Sequence, residues 1–401
     1  QLDEVAGMFE IWCEVLDNHL GAHAEARRKQ QVLSELSEAL RNPILHEGVL
    51  KATEVLRRHI DLKTLALTYS PDGRPTSVNT AFVYLSEDGD IHGQAGDDDV
   101  SRYLAEHGIE VLHGEVGELR ALLGEAGGFD NVLVNGLTQA TVVGRLVVAV
   151  EGSELSTHDR ELFERFADYL RQRLIDFNRE YQRLAYAFPP EAVTRLLNEP
   201  DYERRLMPTE QSVAVLYTDI AGFTRISEQV LKEPALIGKL VDLWGDAVVR
   251  ILWKHGGVFD KMVGDCVIGL WGPPFFDLSP EQNCARALRA AAEIEEFTRE
   301  LHAHQALPEL AVMKGELGVA TGVNYCPMFV GRFGPDEDFT GFSSGMNNTA
   351  RLQGVANRGE ILCMDTVVDI LDADNEFTFD EWRDARVKNV ADPIRFKGLR
   401  F

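Results

Sequence analysis

Cysteine is scarce in this sequence and shows no pairing pattern. The five residues Cys13, Cys266, Cys284, Cys326 and Cys363 form no Cys-x-x-Cys pair and no regular spacing. That argues against a structural zinc site or a disulfide framework and points to a reducing, cytoplasmic compartment. Positive charge is also short: 40 Lys and Arg stand against 65 Asp and Glu, a net charge of -25. A basic face for a nucleic-acid backbone is therefore not expected, nor is docking on an anionic membrane. An anionic substrate then needs local help from metal ions, Lys or Arg. No apolar run approaches the roughly 20 residues of a spanning helix. No signal peptide is visible in a sequence that begins at Gln1 without Met.

What is present is a soluble, globular composition, 45% hydrophobic and 26% charged over 401 residues. That length predicts two or three domains. Residues 1–42 read as an N-terminal helix, with Leu2, Val5, Phe9, Trp12, Leu16 and His19 and then Val32, Leu36 and Leu40 forming an apolar stripe. Such a stripe suits a coiled-coil seam or a helix packed on its own domain, and both readings stay open. Residues 43–160 alternate helix-like and strand-like stretches. Pro43 to Ile60 is amphipathic; Leu62 to Tyr69, Ala81 to Ser86 and Val142 to Val150 are strand-like. A turn is expected at Ser70 to Pro75, an acidic loop at Asp97 to Asp99 and a Gly-rich loop at Gly124 to Gly128. His92, His107, His113 and Cys13 are single metal-capable residues, which are ordinarily surface or core groups. Residues 161–209 read as a linker helix. Phe163, Phe166, Leu170, Leu174, Phe177, Tyr181 and Leu184 recur at spacings of three and four, which we read as a parallel two-stranded coiled coil rather than a helix lying on a sheet. Phe188-Pro189-Pro190 ends it.

The layout of about residues 30–180 resembles a GAF domain: an entering helix, a central antiparallel sheet and a long exit helix. The Asn-Lys, Phe and Asp-Glu pattern linked with cyclic-nucleotide binding in some GAF domains is not matched. The resemblance implies a sensor for a small molecule whose identity stays open.

Residues 210–401 read as a second α/β domain with hairpins, like a ferredoxin-like palm. Strands are expected at Val213–Tyr217, Val258–Val263, Val267–Trp271, Glu316–Thr321, Met328–Phe333 and Phe339–Phe342, with helices from Phe223, Leu236, Cys284 and Met346. Two carboxylates, Asp219 and Asp265, fall at strand ends beside glycine, which suits hard oxygen-ligand metals such as Mg²⁺ or Mn²⁺. The helix start at Ala221-Gly222-Phe223-Thr224 offers backbone N–H groups to a triphosphate. On their own the two aspartates equally suit turn or cap positions.

The wider pattern adds to this. Asp219-Ile220-Ala221-Gly222-Phe223-Thr224, Lys261-Met262-Val263-Gly264-Asp265 and Asn347 to Arg351 follow one another in order. They closely resemble the Asp-Ile-x-Gly-Phe-Thr, Lys-x-x-Gly-Asp and Asn-x-x-x-Arg motifs of class III nucleotide cyclase catalytic domains. The resemblance implies two metal ions per site on Asp219, Asp265 and the Ile220 carbonyl. Asn347 would orient the ribose and Arg351 would stabilise charge at phosphorus, both as catalytic residues. Lys261 and Thr340 would contact the base, Phe223 and Thr224 would adjoin the phosphates, and Lys397 would contact a phosphate. It also implies a homodimer, one chain supplying Asp219 and Asp265 and the other Lys261, Thr340, Asn347 and Arg351.

Base choice follows from donor inventory. Lys261 can donate to adenine N1 and the Thr340 hydroxyl can accept from N6, whereas guanine offers donors at N1 and N2 that an ammonium cannot accept. The expected activity is an adenylate cyclase acting on ATP; a guanylate cyclase and a non-catalytic nucleotide-binding module are the alternatives. No Gly-Gly-Asp/Glu-Glu-Phe signature of a diguanylate cyclase is present. The sequence departs from the family between Gly341 and Met346 and runs a few residues longer between Thr321 and Gly331.

Overall fold

The structure is a computed structural model that describes residues 12, 19–20, 23, 26–70, 80–85, 91–93, 98–123, 128–135, 141–151, 155–335, 337–372, 376–386 and 393–400. Its chain divides into two units, Gln1–Arg183 and Leu184–Phe401. Among the described residues no helix is long and apolar enough to cross a membrane.

In the first unit, alternating strand residues feed two cores. A helix at 26–40 (α1) precedes α2 (Leu45–Arg57), β1 (Leu62–Tyr69), β2 (Thr80–Leu85), β3 (Ile91–Gly93), α3 (Asp99–His113), α4 (Gly117–Leu123), β4 (Gly128–Asn135), β5 (Thr141–Val150) and α5 (Thr157–Ala185). The strands make one antiparallel sheet in the order β3-β2-β1-β5-β4. Leu65 and Leu67 join Phe82, Leu146 and Val148 in a core with α1, α2 and α5. Ala66 joins Val83, Val147 and Ala149 in a second core with α3 and α4. A period of two thus serves both faces, as a sheet covered on both sides requires. This is the expected antiparallel sheet with helices.

The exit helix corrects one expectation. Phe163, Phe166, Leu170 and Leu174 are fully buried in the sheet's own core, and Phe163 stacks on Phe129 with ring centroids 5.5 Å apart. A three-four spacing is the same whether a helix faces a sheet or another helix. Over this half of α5 the apolar stripe is taken up inside its own unit and offers no coiled-coil seam. Val32, Leu36 and Leu40 of α1 are buried in the same core, so that part of the N-terminal stripe also packs on its own domain. Leu2, Val5, Phe9, Cys13 and Leu16, the 71–75 turn, Asp97 and the 124–127 loop lie outside the described residues. His107 and His113 are exposed on α3.

The second unit contains α6 (Pro190–Leu197), α7 (Tyr202–Arg205), β6 (Thr209–Ile220), a single turn α8 (Phe223–Arg225), a π-helical turn at Ile226–Leu231 and α9 (Pro234–Lys254). Then follow β7 (Val258–Val263), β8 (Cys266–Trp271), α10 (Pro280–Glu300), β9 (Val319–Phe333), β10 (Asp338–Phe342), α11 (Ser344–Gln353), β11 (Ile361–Met364), α12 (Asp365–Leu371), β12 (Thr378–Phe379), β13 (Arg383–Ala385) and β14 (Ile394–Arg400). The main sheet runs β12-β14-β11-β9-β6-β8-β7, with β10 beside β9 and β13 beside β14. The stretch β6-α9-β7-β8-α10-β9 with sheet order β9-β6-β8-β7 is the expected ferredoxin-like palm. Both α9 and α10 cover one face, where Leu240, Trp244, Val248, Leu288 and Ile294 meet Ala214 and Leu216 of β6. Trp244 Nε1 donates to the buried Thr298 hydroxyl at 2.9 Å, which satisfies the indole inside the core.

Two strands expected at Glu316–Thr321 and Met328–Phe333 are one continuous strand, β9. Pro327 reads as a break, but the strand pairing explains its place. There β9 pairs with β6 through Ser212, while β11 stops at Val323 and β10 starts at Phe329. Proline is tolerated where a ladder is one-sided. The helix expected from Phe223 is the short α8 followed by the π-helical turn.

Candidate active site

The sheet's central strand delivers the first carboxylate. In β6, Ala214 and Leu216 point into the core and Thr218 is buried, its hydroxyl 2.8 Å from that of Thr321 on β9. Asp219 follows opposite Ala320 as the strand ends. The second carboxylate, Asp265, sits at the tip between β7 and β8, where Val263 and Cys266 pair. Burial first, and then the charge of Asp265, raise the Asp219 carboxyl to about 6, while a hydrogen bond with Gln353 opposes the shift. Burial likewise raises Asp265, opposed by backbone hydrogen bonds of Asp265 itself and Ile220. The structure therefore brings Asp219, Ile220 and Asp265 together.

Burial disfavours the charge of both carboxylates, and at Asp219 the charge of Asp265 adds to it; a bound cation would offset both. Among the described residues no group of three His, Cys, Asp or Glu gathers anywhere. The donor set is thus two carboxylates with neighbouring backbone oxygen. That fits Mg²⁺ or Mn²⁺, which bind through one or two carboxylates and complete their shell with water and substrate phosphates.

Beside Asp219 opens a cavity of about 790 Å³ lined by Gly222, Arg225, Glu316, Gln353 and Arg358 among others. Gly222 has φ +76° at the start of α8, and a Cβ placed there meets nothing within 4 Å. Glycine is thus called for by backbone conformation, and the space beside it is open. Arg225 forms an ion pair with Glu316, and Arg358 Nη1 donates to the Glu316 carbonyl at 2.9 Å. Arg225, Gln353 and Arg358 escaped the sequence reading. The first stands next to Thr224 and the second lies two residues past Arg351, so proximity to the motifs was the available signal. Phe223 packs half-buried against the core and Thr224 is exposed; neither lines the cavity.

A second group forms elsewhere in the same unit. Lys261 Nζ donates to the Thr340 hydroxyl at 2.9 Å, and Nζ lies 5.9 Å from the Phe342 ring centre. Asn347, exposed, and Arg351, partly buried, lie four residues apart on α11, where Arg351 Nη1 donates to Asn348 Oδ1 at 3.3 Å. Gly322 of β9 lets α11 approach: a Cβ there falls 2.7 Å from Gln353 N and 2.8 Å from Thr349 O. Lys397 is on β14 with Nζ 4.7 Å above the Trp382 ring. None of Lys261, Thr340, Asn347, Arg351 and Lys397 lines the cavity beside Asp219.

Residues 206–397 match the family described as the adenylate and guanylate cyclase catalytic domain. This region is a class III nucleotide cyclase catalytic domain. A photoactivated adenylate cyclase subunit beta-like protein of Euglena gracilis is 30% identical over 138 residues, which are 34% of this chain and 15% of that protein. An uncharacterized protein of Mycobacterium tuberculosis is 25% identical over 222 residues, 54% of this chain and 38% of that one. The match to the Euglena protein thus spans only about a seventh of that relative's length. Among solved structures, the adenylyl cyclase CyaB from P. aeruginosa is 24% identical, covers 49% of this chain and 97% of its own, and has a TM-score of 0.42. The guanylyl cyclase Cya2 is 21% identical, covers 48% of this chain and 93% of its own, also with a TM-score of 0.42.

Proposed function

We propose that the chain is an adenylate cyclase that converts ATP to 3′,5′-cyclic AMP and pyrophosphate at sites shared by two copies of its cyclase domain. The observation that carries this reading is the Lys261–Thr340 pair, joined at 2.9 Å. An ammonium has three donors and no acceptor, so the donors left over can meet adenine N1 but not guanine N1–H or N2–H. A buried donor facing a donor costs about 1–3 kcal/mol, enough to set the base.

In the proposed reaction the ribose 3′-oxygen bonds to the α-phosphorus. The bond from that phosphorus to the bridging oxygen breaks, pyrophosphate leaves and the hydroxyl proton is released. Asp219 and Asp265, with the Ile220 carbonyl, would hold Mg²⁺ or Mn²⁺, which supplies activation of the attacking oxygen and charge neutralisation on the leaving group. Asn347 orients the ribose. Arg351 places its guanidinium against the developing charge at phosphorus, where it acts without reorganisation. The backbone around Gly222 borders the phosphates, and Lys397 contacts one of them. Support for a shared site comes from the Asp219 cavity, whose lining contains none of the base, ribose or phosphorus residues.

The first unit is proposed to be a GAF-like sensor. Its two-faced sheet supports this, as does a cavity of about 370 Å³ lined by Arg120, Leu123, Phe129, Asp130 and Val147. A small molecule binding there would shift the balance between aligned and misaligned catalytic dimers, with α5 as the covalent route. Turnover assays with ATP and GTP, each with Mg²⁺ and Mn²⁺, test the whole reading. Cyclic AMP formation from ATP well above cyclic GMP formation is expected. The reverse preference identifies a guanylate cyclase, and nucleotide binding without pyrophosphate release identifies a non-catalytic module.

A further inference from the structure

Asp260 precedes Lys261 and has no role in the reaction as described. It sits in β7 where the pairing with β8 slips between Phe259 and Lys261, a β-bulge. Bulges re-aim a side chain next to active sites. Its side chain is 0% exposed, and neither carboxylate oxygen has a hydrogen-bond partner within bonding geometry. The groups near it include the Lys261 ammonium, 3.8 Å from Oδ2, the Thr340 hydroxyl, and the Tyr217 phenol, which the Asp260 charge helps hold in its neutral form. Burial pushes the carboxyl up to about 6, and Thr340 and then Lys261 draw it back, so it is ionised in an assay at pH 8. A buried, ionised carboxylate demands a donor.

We propose that Asp260 is a positioning residue that fixes the direction of the Thr340 hydroxyl, and through it the choice of adenine over guanine. The inference rests on the adenylate cyclase reading. A threonine hydroxyl has one hydrogen and two lone pairs, and by itself can face either an amino group or a carbonyl. Lys261 donates to one lone pair of Thr340. An ionised Asp260 only accepts, so it draws the single hydrogen inward. What remains for the base is a lone pair, which pairs with the adenine 6-amino group and opposes the guanine 6-oxygen. Asparagine at 260 presents an N–H to Thr340 instead, which releases the hydroxyl hydrogen toward the base and makes a 6-oxo group acceptable.

The experiment measures kcat/KM for ATP and for GTP at pH 8 in wild type, Asp260→Asn, Asp260→Glu, Thr340→Val and the Asp260→Asn/Thr340→Val double variant. In Asp260→Asn the ATP-to-GTP ratio is expected to fall about tenfold or more. In the Thr340→Val background Asp260→Asn changes the ratio by less than about twofold, since no hydroxyl is left to orient. Asp260→Glu keeps an acceptor and keeps the ratio within about threefold. Each ratio is taken within one preparation, so a lower folded fraction cancels. A parallel loss on both substrates in Asp260→Asn marks a merely structural carboxylate and overturns the proposal. So does loss of preference in Asp260→Glu, or an equal effect with and without the Thr340 hydroxyl. A wild-type chain that prefers GTP or turns over neither nucleotide fails earlier and separately: the adenylate reading itself falls, and this inference with it.

Discussion

Replacing Asp219 with asparagine should stabilise the metal-free protein while removing its response to Mn²⁺. The exchange keeps shape and keeps an oxygen for the Gln353 hydrogen bond, but deletes a charge that burial and the charge of Asp265 disfavour. A carboxyl moved from 3.8 to about 6 corresponds at face value to ~3 kcal/mol. Asp219 is only half-buried, and solvent screening brings the expected gain to ~1 kcal/mol. For a catalytic unit of this size that is a rise in Tm of about 3 °C. The sign is set by linkage. The folded-state pKa lies above the unfolded one, so the group's contribution is fully present below the unfolded value and is lost as pH rises through about 6. The advantage of Asp219→Asn therefore appears at pH 8 and shrinks toward zero near pH 4. Differential scanning calorimetry in EDTA and in millimolar Mn²⁺, at both pH values, reads all of this. Wild type gains stability with Mn²⁺ at pH 8, and Asp219→Asn gains little. A metal-free variant no more stable than wild type at pH 8, or one with an undiminished Mn²⁺ response, refutes the reasoning.

Two other substitutions probe α11. Arg351→Ala should lower kcat roughly 100- to 1,000-fold with KM within a few-fold, because in the proposed reaction its contact matures only in the transition state; steady-state rates with ATP check it. Gly322→Ala drives a methyl to within 2.7 Å of the Gln353 backbone nitrogen. It should therefore destabilise the protein by about 2 kcal/mol in urea unfolding and reduce turnover by displacing Asn347 and Arg351.

Part of the catalytic unit is legible where a short strand is bounded by glycine on both sides: β7, between Gly257 and Gly264, has the expected limits Val258–Val263. The two aspartates at strand ends were legible from the sequence, whereas the direct Lys261–Thr340 hydrogen bond was not: the resemblance implied only that both residues contact the base. Harder were features that depend on what lies across the sheet. Pro327 looks like a break until its one-sided ladder is seen. The strand β4 was missed because Asp130, Asn131 and Asn135 are poor strand formers; Asp130 is held there by Arg145 and Arg120, both at 2.8 Å. The α5 stripe has one period and two possible partners, and only the packed sheet shows which one Phe163 to Leu174 face. Gln353, Arg225 and Arg358 reach the cavity through folding of segments that carry no motif of their own.

Subunit complementation tests the shared-site account most directly. Asp219→Ala and Asn347→Ala chains, each inactive alone, are mixed in equal amounts under exchange and assayed for cyclic AMP. Half the dimers are then mixed, and each of these has one intact site of two, so about a quarter of wild-type activity should return. No recovered activity in a sample where mixed dimers demonstrably form contradicts the account and places each complete site within a single chain.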